Sequence, residues 1–203
     1  MKSLTLISLF LISLGCVKTQ NIDFNNLKDG DIIFHTSKSS QSSMLKKVTN
    51  SNLTHVGMIF SNKGELFVYE AIQPVKITSL KSFIKRGQDS KYKVMRPKFE
   101  LSNEDKKKMF SYAKKQLGKN YDSKFQWSDN KMYCSELVWK IYKEIGVELC
   151  ETKKFSDYNL SNSLASTAIN KRYKNTKFNL SEKVVAPSDL FESSKLKVII
   201  DTY

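Results

Sequence analysis

Residues 131–142 read KMYCSELVWKIY, and the place of the cysteine within them decides how the rest of the chain is read. Leu137, Val138, Ile141, Tyr142 and, just beyond, Ile145 recur at helical spacing. Cys134 stands ahead of that stripe, between Tyr133 and Ser135, and so at the predicted N-terminus of a helix. Unpaired backbone N–H groups and the helix dipole favour negative charge there. A thiol becomes a good nucleophile when its surroundings hold its pKa below the free value of ~8.5, and a helix start does so. A buried, inert cysteine fits the same local pattern, although a cysteine kept only for packing more often lies inside the apolar stripe.

A nucleophile needs a base, and the chain has only two histidines, His35 and His55. Thr54 to Phe60 (THVGMIF) reads as a strand with His55 at its start, and Asn62, Lys63 and Gly64 turn it into a second strand, Glu65 to Ala71. Glu70 falls near the end of that second strand, beside the start of the first. Cross-strand partners lie ~4.5–5.5 Å apart at Cβ, which brings a carboxylate to an imidazole. Such a carboxylate fixes the tautomer and stabilises the imidazolium formed when the ring takes the thiol proton. Taken singly, His55 reads as a structural histidine and Glu70 as a surface carboxylate; together with Cys134 they supply base, orienter and nucleophile.

Leu27 to Thr36 reads as a turn and a buried strand, and Ser39 to Ser43 as a hydroxyl-rich cap for a helix through Met44, Leu45 and Val48. Val75 to Thr78 extends the sheet, Ser79 to Lys85 forms a short helix, and Tyr92 to Arg96 is a further strand closed by Pro97. Ser102 and Asp105 form a capping box for a helix ending at Gly118. A loop rich in aromatics, Asn120 to Tyr133, leads into the Cys134 helix. After Cys150 come a helix from Leu160 to Arg172, a turn after Pro187 and a strand from Leu196 to Ile200. The class is α+β, an antiparallel sheet packed against helices.

The 203 residues suit one domain, and 40% hydrophobic residues are enough to build its core. Lys and Arg number 34 against 20 Asp and Glu, a formal charge of +14 that favours anionic surroundings. No nucleic-acid motif accompanies that charge, so nucleic acid is not an expected partner. Lys2 precedes an apolar run from Leu4 to Leu14 that ends in Gly15 and Cys16. The run is too short to span a bilayer and suits the h-region of a signal peptide. Its end resembles a bacterial lipobox, with Ser13 where Leu is usual. The expectation is a lipoprotein signal peptide over 1–15, a tether over 16–26 beginning at lipidated Cys16, and one catalytic domain over 27–203. An ordinary signal peptide cleaved nearby, or a buried strand, fits the same run.

A disulfide between Cys134 and Cys150 is disfavoured, because a helix from 134 to 145 is about 16 Å long and only a tight return after Gly146 would bring the two together. The spacing of Cys134, Cys150, His35 and His55 matches no closed zinc pattern, and no metal or cofactor is expected.

The stretches GDIIFHTSKSSQSSMLKKVTNSNLTHVGMIF, VYEAIQPVKITSLKSFIKRG and YDSKFQWSDNKMYCSELVWKIY resemble the YiiX/YaeF-type permuted papain-like amidases, relatives of the NlpC cell-wall peptidases. The resemblance runs from about Leu27 to Tyr142 and, loosely, on through the APSDLF segment. It implies a circularly permuted papain-like fold, in which His55 and Glu70 precede Cys134, and it carries the catalytic triad onto those three residues. The backbone N–H of Cys134 is the expected oxyanion donor. Candidates for a second donor or substrate contact are Tyr133, His35, Ser40, Gln41 and Ser42, although the serine loop also reads as a simple helix cap. Trp127 reads as a groove wall or as packing. The function expected is a cysteine amidase or peptidase of the exported, membrane-anchored cell envelope, acting on peptide amides such as those of peptidoglycan. A lipid acyl hydrolase or acyltransferase with the same triad, and a non-catalytic binding module, are the alternatives.

Overall fold

The computed structural model describes residues 24–174 and 177–203. The expected signal run and Cys16 lie outside the described residues. Of the expected tether, Phe24–Asn26 forms a 3-10 turn, and Phe24 packs against the domain.

The strands are β1 (Ile32–His35), β2 (His55–Asn62), β3 (Glu65–Glu70), β4 (Lys76–Ser79), β5 (Lys93–Pro97), the two-residue β6 (Asn120–Tyr121), β7 (Lys131–Met132), β8 (Lys153–Lys154) and β9 (Lys183–Val184), and β10 (Leu196–Asp201). The helices are α1 (Ser42–Thr49), α2 (Leu80–Arg86), α3 (Asn103–Lys115), α4 (Cys134–Lys143), α5 (Ser163–Arg172) and α6 (Pro187–Phe191). Six strands form one sheet in the order β10-β5-β1-β2-β3-β4, every pairing antiparallel. The class read from the sequence is the class observed.

Period-two alternation divides the sheet between two cores. Ile32, Phe34, Val56, Met58, Phe60 and Tyr69 face one side, where they pack with Leu137, Val138, Ile141 and Tyr142 of α4. Ile33, Ile59 and Val68 face the other, against Leu80 and Phe83 of α2. Cys134 belongs to the first of these cores.

Helix α4 is more deeply set than an amphipathic stripe requires, since eight of its ten residues are buried. The Tyr142 hydroxyl donates to the Gly30 carbonyl at 2.7 Å and ties the helix to the turn before β1. Gly30 holds φ +90°, a left-handed conformation that favours glycine.

Two local expectations are corrected. The N-cap of α1 is Gln41 in helical geometry with no side-chain cap bond, so the hydroxyl-rich loop does not cap the helix through a side chain. The segment after Pro187 is a short helix rather than a turn, with Pro at its first position and Asp189 Oδ2 accepting from the Ala186 N–H at 2.6 Å.

Candidate active site

The β2–β3 ladder pairs Met58 with Tyr69, and one step further sets Glu70 opposite Gly57. His55 lies two residues from Gly57 on the same face, so histidine and glutamate meet diagonally rather than directly across the ladder. Gly57 leaves that diagonal open. A Cβ there would approach Val68 Cγ1 to 2.4 Å and Phe83 Cε2 to 3.3 Å. The resulting contact runs from His55 Nε2 to Glu70 Oε2 at 2.6 Å.

Glu70 is fully buried and is held from two further sides. Thr78 on β4 donates its hydroxyl to Oε1 at 2.5 Å, and Arg86 at the end of α2 brings Nη2 within 2.6 Å of both oxygens. Burial alone would raise its pKa, but the bonds to His55, Arg86 and Thr78 outweigh burial and hold the carboxyl down to about 2. The carboxylate is therefore a fixed negative charge beneath the imidazole.

With Nε2 committed to Glu70, Nδ1 is the ring nitrogen left for a further partner, and Cys134 lines the same cleft as the ring. Burial opposes the imidazolium, yet the bonds to Cys134 and Glu70 overcome it and raise His55 to about 9. The ring is also wedged in place. His35, its direct partner across β1–β2, stands 5.1 Å away, and Phe83 stacks on His35 at 4.4 Å and on His55 at 5.5 Å.

Cys134 is the first residue of α4, after the extended N-cap Tyr133. The Tyr133 N–H donates to Glu136 Oε2 at 3.3 Å, while Ser135 Oγ donates to the Val185 carbonyl at 2.6 Å and so fastens the β9–α6 segment beside Cys134. Cys150 is a separate free thiol, and no disulfide joins it to Cys134.

The remaining candidates separate. Gln41 and Ser42 line the same cleft as Cys134 and His55. Ser42 Oγ is engaged with Thr54 Oγ1 at 2.8 Å, whereas the Gln41 side chain carries no cap bond. The Tyr133 ring lines the cleft, but its hydroxyl accepts from the Val185 N–H at 3.2 Å and is not turned to the thiol. Ser40 is exposed and lines neither this cleft nor the second one beside His55. His35 lies on the far side of His55 in a second cleft; burial, then the charges of His55 and Arg86, push it down to about 3, which leaves it a neutral ring. Trp127 packs edge-on against Trp139 at 5.2 Å, the packing role.

Sequence reasoning passed over Arg86 and Thr78. Arg86 follows Lys85 at a helix end and has the look of solvated charge; only the fold shows that it reaches Glu70.

A family model described as permuted papain-like amidase enzyme, YaeF/YiiX, matches residues 26–200. The chain belongs to this YaeF/YiiX family. The uncharacterized protein YiiX of Escherichia coli is 39% identical over 171 residues, covering 84% of each chain. A YaeF/YiiX crystal structure, titled as that of the metalloprotein YiiX from Escherichia coli, superposes with a TM-score of 0.83 at 39% identity, over 87% of this chain and 98% of that one. The permuted papain-like fold is thus established here, and the family's amidase description points to a cysteine hydrolase. Among the described residues no group of three or more His, Cys, Asp or Glu is placed to hold a metal ion.

Proposed function

We propose that this protein is a cysteine amidase in which Cys134 attacks, His55 moves the proton and Glu70 orients His55. The observation that carries the reading is a His55 ring tied through Nε2 to a buried carboxylate and lining one cleft with a thiol at a helix start. A Cys134 Sγ–acyl bond forms as the substrate C–N bond breaks, and the proton held by His55 passes to the leaving amine. Water then adds its hydroxyl to the acyl carbon and returns a proton through His55, freeing the acid and the thiol. The Cys134 N–H, in the unpaired first turn of α4, is the donor nearest the developing oxyanion. Gln41 is the side chain best placed to add a second.

The reading places the protein at the cell envelope, anchored through Cys16. That part rests on the apolar run and the Gly15–Cys16 pair. The test is mass spectrometry of purified protein exposed to cell-envelope extract. An acyl adduct on Cys134 that is absent in His55→Ala supports the reading, and a mass unchanged under all conditions contradicts it. Of the two substrate classes open from the sequence, peptidoglycan peptides and acylated lipids, the walls of the cleft favour the second.

A further inference from the structure

Cys134 opens onto a cleft of about 320 Å³, at the small end of the range for small-molecule sites. Met44, Leu45 and Val48 of α1 line it from one side and Ala165 and Ile169 of α5 from another. Apart from His55 and Arg172, no residue that carries a formal charge lines it among the described residues, and Arg172 lies over the Phe125 ring at 5.1 Å. A muropeptide, with hydroxyls and amides on every side, would meet mostly apolar walls there, Gln41, Gln73 and a few hydroxyls being the exceptions, and would leave many of its polar groups unpaired.

His55 also borders a second cleft, of opposite character. Lys38, Lys76 and Lys85 line it, and none of the three has a carboxylate partner among the described residues; the one carboxylate near it, Glu70, is buried under Arg86. The two clefts share Ser37, Ser39, His55 and Ile72, so they adjoin at the histidine. The imidazole hands its proton to the leaving group, and the leaving group therefore departs on the His55 side.

We infer that the substrate is amphiphilic, an aliphatic acyl chain lying between α1 and α5 and joined by an amide to a small anionic amine held by Lys38, Lys76 and Lys85. This rests on the proposed triad for its chemistry, but the binding it requires does not. Apolar burial sets the acid side of the bond, and uncompensated positive charge sets the leaving side.

The test uses the full domain carrying Cys134→Ala, which binds without turnover, titrated calorimetrically with N-acetyl-, N-octanoyl- and N-dodecanoylglycine and with the matching glycinamides. Each added methylene that enters the cleft tightens binding by about threefold or fourfold. The dodecanoyl ligand is therefore expected to bind at least a hundredfold tighter than the acetyl one, and the carboxylate severalfold tighter than the carboxamide. Ile169→Trp, which fills the cleft, should weaken the long chain and spare the short one. The double variant Lys76→Glu, Lys85→Glu should abolish the preference for carboxylate. Affinity independent of chain length, or a preference for the glycinamide, overturns the inference whether or not the variants fold. Failure here with a reactive Cys134 would leave the triad standing. Chain-length-dependent binding with an inert Cys134 would support this inference and sink the triad.

Discussion

At the scale of single residues, the site is built around one buried carboxylate. Glu70 takes bonds from a ring, a hydroxyl and a guanidinium, and each of these comes from a different element. Replacing Glu70 by Gln keeps the shape but removes the charge beneath His55. We expect kcat to fall by about two orders of magnitude, with KM nearly unchanged, as measured by steady-state kinetics on an acyl amide. His35 makes a different prediction. Its pKa is pushed from 6.5 down to about 3, so its contribution to stability is complete above 6.5 and is lost as pH falls toward 3. His55 is shifted the other way, to about 9, and its contribution is constant below 6.5. Glu136, raised to about 7 chiefly by burial, gains over the same interval and partly masks the loss. The clean readout is therefore a difference. His35→Phe should remove on the order of 2 kcal/mol of the acid-side slope between pH 6.5 and 4.5, followed by urea denaturation at each pH. The sequence placed Glu70 beside His55 through hairpin logic, but it took the pair as direct cross-strand neighbours. The two-residue offset, and the opening that Gly57 leaves for it, depend on register and on packing against Val68 and Phe83 that no strand pattern encodes.

At the scale of elements, α4 and the β2–β3 hairpin do the positioning. The helix was legible from its stripe and the hairpin from Asn62-Lys63-Gly64, because both are local patterns. Ser102 before α3 and Asp105 in its first turn were legible for the same reason, as a capping box the structure contains. The walls of the cleft were not. Met44 and Ile169 are more than a hundred residues apart, and each reads alone as an ordinary helix position. Arg86 was missed in the same way, since its partner lies sixteen positions away through a strand and a turn. Because α4 is enclosed on nearly all sides, truncation at its core should be costly. Leu137→Ala removes a fully buried side chain and is expected to cost about 2–5 kcal/mol, read as a fall in the urea midpoint. Thiol reactivity in the still-folded fraction should survive, since Leu137 touches packing and not Cys134 chemistry.

The molecule as a whole carries +14 charges, a property of the surface rather than of the fold. Among the described residues no helix is long and apolar enough to cross a membrane. If the protein works at an anionic envelope surface, residues 24–203 alone should bind vesicles of phosphatidylglycerol, and binding should weaken steeply from 50 to 300 mM salt as the Debye length shortens from roughly 14 to 6 Å. Co-sedimentation measures this, and equal binding to neutral phosphatidylcholine would remove charge as the cause. The central claim is narrower than envelope binding, and chemistry decides it. In the proposed triad an imidazole anchored by Glu70 makes the Cys134 thiol reactive, while Cys150, pushed up to about 12 by burial, serves as an internal control in the same chain. The direct measurement is the rate of iodoacetamide alkylation at each cysteine at pH 6, by peptide mass spectrometry, in wild type and His55→Ala. Cys134 is expected to react at least tenfold faster than a free thiol, and His55→Ala to remove the excess while Cys150 stays slow. A Cys134 that reacts no faster than a free thiol, or equally fast without His55, would contradict the claim.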